Sequence, residues 1–135
     1  MKKYPVLVCV TAQSSCESII LQGRQAAREL SASLEVVSVQ SADMAPEQRA
    51  ASLNTLYKLS KKSGAPIVVY YNDDAAQTIA SHARQHSARH IILGQSNNHH
   101  FARQLAELLP GVNIAAARIV GNGQLAVDRY GVAAQ

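Results

Sequence analysis

Residue types able to hold an anionic ligand concentrate where an apolar run ends, in Arg89-His90-Ile91-Ile92-Leu93-Gly94-Gln95-Ser96-Asn97-Asn98-His99-His100-Phe101. The pattern reads as a buried strand that stops at Gly94, a small polar loop, and a helix start. In an open parallel sheet, such a junction aims loop N–H groups and the positive end of the next helix at one point, an arrangement suited to phosphate. Ser96 can donate to a phosphate oxygen or cap the loop. Asn97 and Asn98 suit the turn and the start of the helix. Phe101 can pack the loop onto the sheet or cover a base.

Other reactive side chains have plainer readings. His99 and His100 are adjacent, so on a helix they do not face the same way. His82 and His86 have the better i, i+4 spacing but no evident third ligand in the sequence, and no metal site is expected. Asp73 and Asp74 precede a helix, where they cap it and complement its dipole. Cys16 near a helix start has either a lowered pKa or an ordinary thiol. There is no Gly-x-Ser-x-Gly elbow and no phosphate loop with its lysine. No catalytic residues emerge, and the chain is expected not to be an enzyme.

The elements that must position the loop alternate regularly. Residues 4–10 form a continuous apolar run, as in a strand covered on both faces. Ser14 and Glu17 have capping-box spacing, so a helix is expected from about Ser15. Its apolar face comprises Ile19, Ile20, Gly23, Ala26, Ala27 and Leu30, with Gly23 where the helix backbone nears the sheet. Residues 34–39 are the second strand. Pro46 opens a second helix, with Leu53, Leu56 and Leu59 inward, Lys58, Lys61 and Lys62 at its C-terminal end, and Gly64 as its stop. Strands at 66–71, 90–93 and 113–120 follow. Helices led by Asn72-Asp73-Asp74 and spanning about 100–109 separate them.

Such alternation with short loops predicts an α/β fold, a three-layer α/β/α sandwich around a five-stranded parallel sheet. Right-handed crossovers favour the order 3-2-1-4-5. The order reverses between strands 1 and 4, and ligands bind beyond the carboxyl ends of strands at such a point. Thr11, Ala12, Gln13 and Ser14 are then expected to face Gly94, Ser96 and Asn97 across one crevice. Val39 at the end of strand 2 and Phe101 complete the expected nucleotide-binding set. After the fifth strand, Asn122-Gly123 signals a tight turn, and 124–128 is expected to add an antiparallel strand.

Composition narrows the function. The 135 residues suffice for one domain with a substantial core. Charged residues make up 16% and the net charge is +4, too mild and dispersed for a nucleic-acid face. No apolar segment approaches a membrane span and no signal peptide is evident. Two isolated cysteines do not make a disulfide framework, so a reducing, cytoplasmic setting is expected.

Val6-Leu7-Val8-Cys9-Val10-Thr11, Arg24-Gln25-Ala26-Ala27, Pro46-Glu47-Gln48-Arg49, Asn72-Asp73-Asp74-Ala75-Ala76 and Ile91-Ile92-Leu93-Gly94-Gln95-Ser96-Asn97 occur in a telling order. With Leu-Pro-Gly-Val-Asn-Ile at 109–114, they resemble the universal stress protein family, and most of all the universal-stress-like domain of KdpD-type potassium sensor kinases. The resemblance spans about residues 6–120. It implies the adenine nucleotide alpha-hydrolase-like fold over 1–121, a C-terminal extension over 122–135, and a small regulatory domain, often dimeric, that binds ATP or another adenine nucleotide in some members. No cofactor is required.

The sequence departs from the ATP-binding pattern at definite places. Thr11 and Ala12 stand where an acidic residue is expected. Asn97 replaces the second glycine after strand 4, and the later Gly-Ser is absent. The Ser-Gly-Gly-x-Asp-Ser loop of related nucleotide-activating enzymes is not reproduced at 11–15. The aromatic platforms with which some KdpD domains hold cyclic di-AMP are also missing. Two readings follow: a non-enzymatic module sensing an adenine nucleotide, or a nucleotide-free dimeric interaction domain with a degenerate pocket. A homodimer through strand 5 or the C-terminal hairpin is expected, with no nucleic-acid or membrane partner.

Overall fold

The computed structural model describes residues 4–10, 16–94, 99–119 and 125–130. Its elements are β1 (Val6–Cys9), α1 (Cys16–Glu29), β2 (Leu34–Gln40), α2 (Pro46–Ser63), β3 (Ile67–Tyr71), α3 (Ala75–His86), β4 (His90–Leu93), α4 (His99–Leu108), β5 (Asn113–Ile119) and β6 (Leu125–Tyr130). They build one sheet of order β3-β2-β1-β4-β5-β6. Its strands are parallel except β6, which runs antiparallel to β5. The expected three-layer architecture and the added strand are both present. The Asn122-Gly123 turn lies outside the described residues.

β1 explains the continuous apolar run. Val6 and Val8 face α1 and α2 with Ile19, Ile20, Ala27 and Leu56. Leu7 and Cys9 face α3 and α4 with Ile79, Ala83 and Leu105. A strand buried on both faces has no position left for a polar side chain. Gly23 lets α1 approach this strand: a Cβ there would overlap Val8 Cγ2 and lie 3.2 Å from Leu34 Cδ1. The cost of glycine in a helix is offset by that close packing.

The helix ends follow local chemistry. Pro46 begins α2, and Gly64 ends it at φ 73°, its N–H bonded to Ser60 O. Asp74 Oδ1 accepts from Gln77 N at 3.1 Å and starts α3. Ser31 and Ser87 take the left-handed conformation at φ 53° and 56°, a role glycine more often fills.

Two leucines expected inside lie outside. Leu30 is 48% exposed because α1 ends at Glu29, so the helical stripe no longer carries it inward. Leu53 is 39% exposed because α2 buries a stripe centred on Ser52, Leu56 and Ser63, one residue out of step with the expected face. Among the described residues no helix is long and apolar enough to cross a membrane.

Candidate functional site

The parallel pairing of β1 with β4 builds the expected rim. Cys9 is in register with Leu93, and Gly94 N donates to Cys9 O at 2.9 Å. Val10 N donates to Val37 O at 2.9 Å, so the β1 exit is tied to both neighbouring strands. The chain therefore leaves β1 and β4 from adjacent points at the carboxyl edge of the sheet. Glycine at 94 eases this approach: a Cβ there would stand a tight 3.2 Å from Cys9 O and in ordinary contact, 3.4 Å, with Ile19 Cδ1.

Of the other residues assigned to the site, Val39 and Phe101 are partly buried and pack against the core shared by α3 and α4. Val39 is the penultimate residue of β2, and Phe101 lies in the first turn of α4. Thr11, Ala12, Gln13, Ser14, Ser96 and Asn97 lie outside the described residues, as does Asn98. The helix starts differ in charge. The first turn of α1 holds Glu17, whose Oε1 meets Lys62 Nζ at 2.7 Å. The first turn of α4 has no acidic residue, which leaves its dipole uncountered by a carboxylate there.

Asp73 and Asp74 are occupied structurally. Asp73 Oδ1 accepts from Ala42 N at 3.1 Å and Ser41 Oγ at 3.3 Å, joining the β2–α2 connection to the end of β3. Asp74 caps α3. Beside them, Gln40 Nε2 donates to Ser52 Oγ at 2.6 Å and Ser38 Oγ at 3.3 Å. Gln40 Oε1 and Tyr71 Oη, whose residues are in register, are buried without a hydrogen-bond partner among the described residues. The alternation of Val36, Ser38 and Gln40 along one strand face carried this signal in the sequence, set against an apolar background.

A second cluster lies at the opposite, amino edge of the sheet. Glu35 on β2 meets both helical histidines: Oε1 lies 2.9 Å from His82 Nε2, and Oε2 lies 3.2 Å from His86 Nδ1. Tyr70 Oη lies 2.7 Å from His82 Nδ1. The imidazoles stack with centroids 4.1 Å apart. The sequence offered no third group for His82 and His86; β2 supplies it. His82 is also 2% exposed.

Among the described residues, titration is altered at two points. Burial pushes the Cys9 thiol up to about 12, so this cysteine is not a neutral-pH nucleophile. His90 is held below its ordinary value by burial, then by the charges of Arg129 and Arg89. Asn113 Nδ2 stands 3.3 Å from its Nδ1, an amide donor facing a ring nitrogen that accepts when the imidazole is neutral.

No family model matches the chain, and no curated protein matches it. Solved structures do. A universal stress protein from Archaeoglobus fulgidus is 17% identical with a TM-score of 0.66, over 86% of this chain and 94% of that one. The universal stress protein from Archaeoglobus fulgidus in complex with dAMP is 18% identical with a TM-score of 0.64, over 86% and 98%. A universal stress protein in complex with cAMP is 14% identical with a TM-score of 0.61, over 87% and 98%. At such identities the likeness is one of architecture: the chain has the three-layer fold of universal stress proteins.

Proposed function

We propose that the chain is a non-enzymatic regulatory module that binds an adenine nucleotide where β1 and β4 end. The observation that carries this reading is the Gly94 N to Cys9 O bond across the point where strand order reverses. It supports a shared cleft between the loops that leave the two strands. In this reading phosphate oxygens meet loop N–H groups, Ser96 and the start of α4. Thr11, Ala12, Gln13 and Ser14 form the facing wall, with Asn97 in the turn. Val39 and Phe101 offer apolar surface for the base. The dAMP and cAMP complexes among the solved neighbours support the choice of ligand class. The motif order of the sequence favours a regulatory domain of the KdpD sensor type, in a cytoplasmic setting.

Thermal unfolding with ATP, AMP, cAMP and cyclic di-AMP tests the proposal. A ligand that binds only the native state stabilises it by about 2.7 kcal/mol at roughly a hundred times Kd, which raises Tm by several degrees. Ser96→Ala is expected to shrink the shift while leaving the unliganded Tm unchanged. Gly94→Val is a less clean probe, because its side chain presses on Cys9 O and Ile19. No shift with any of the four nucleotides would instead favour the nucleotide-free interaction domain.

A further inference from the structure

We propose that Glu35, His82 and His86 form a binding site for a divalent transition-metal ion of the zinc class, remote from the β1–β4 rim. One ligand atom from each of the three lies within 4.8 Å of the others. The two contacts to the Glu35 carboxylate, 2.9 Å and 3.2 Å, are close to the ~3.3 Å that separates ligands in a tetrahedral shell with bonds of about 2.0 Å. In-plane coordination by both imidazoles requires the His86 ring, 41% exposed, to turn out of its stack on the buried His82 ring. Two imidazoles and one carboxylate suit zinc and its neighbours rather than magnesium or calcium, which take oxygen ligands.

The surroundings fit this role. His82 is buried and its second nitrogen meets Tyr70 Oη, the outer partner that fixes a metal-binding imidazole. Without metal, Tyr70 O–H donates to Nδ1 and Nε2–H donates to Glu35. With metal on Nε2, the ring proton sits on Nδ1 and is donated in a hydrogen bond to Tyr70 Oη, so His82 changes tautomer and keeps one proton. His86 Nδ1 likewise exchanges its hydrogen bond for the metal as its proton shifts to Nε2. The His86 side chain is 41% exposed, which gives the ion a route in and leaves a coordination position for water or a small anionic ligand.

The test is titration of the full chain with zinc chloride against a chromophoric chelator, and with cobalt(II) followed by its visible absorption. The expected result is one tight equivalent of either ion and cobalt bands of a low-coordinate N/O site. His86→Ala and Glu35→Gln should abolish that equivalent while circular dichroism stays unchanged. Tyr70→Phe should weaken it roughly 10- to 100-fold. A double variant, His99→Ala with His100→Ala, should retain it. Absence of a tight equivalent in the parent chain would overturn the proposal. So would its survival in folded His86→Ala and Glu35→Gln, or its loss in the His99 and His100 double variant.

Discussion

His90 sits in β4, half-buried, between Arg89 and the field of Arg129 in β6. Its charged form is disfavoured in the folded chain, so its folded pKa lies below the ordinary 6.5. The unfolded chain then binds the proton more readily. Stability from this group is full above the ordinary value and declines as pH falls through it toward the folded value. Thermal unfolding from about pH 7 to about pH 5 should therefore show a smaller loss of Tm in His90→Gln than in the parent. Parallel curves would refute the assignment. Residue-scale reading of the sequence reached Asp74 as a cap, because capping is a local event. It did not reach Glu35 as the partner of His82, because 47 positions separate them and only the β2–α3 packing joins them.

Secondary-structure elements were legible wherever local chemistry marks them. Pro46 and Gly64 bracket α2, and Gly23 sits where α1 meets β1, because each residue type answers a backbone need visible in the sequence. The end of α1 was harder to place, since Ser31 rather than glycine takes the left-handed turn. The buried face of α2 departs from the leucine spacing, because a leucine every third residue drifts around a helix of 3.6 residues per turn. Leu56 is 1% exposed, whereas Leu53 is 39% exposed. Chemical denaturation should separate them. Leu56→Ala is expected to cost about 2–5 kcal/mol, and Leu53→Ala no more than about 0.5 kcal/mol. Equal costs would contradict the orientation of α2.

At the scale of the molecule, β-α alternation and crossover handedness make the sheet order readable from the sequence. Six of the proposed nucleotide contacts lie outside the described residues, so the sequence remains the ground for those. β6 covers β5 and becomes the outer strand, with Val127 exposed. A homodimer built through this hairpin would bring two outer strands together. Sedimentation should then give twice the chain mass, reduced to the single-chain mass by Val127→Lys. A parent chain that sediments as a monomer would remove the dimer.

The rim at β1 and β4 is tested most directly by amide chemical shifts of the labelled chain during titration with ATP and AMP. Saturable changes should centre on Val10, Val39, Gly94 and Phe101, leaving Glu35, His82 and His86 unmoved. Saturable changes centred on the amino edge of the sheet, or none for either nucleotide, would contradict the placement of the site.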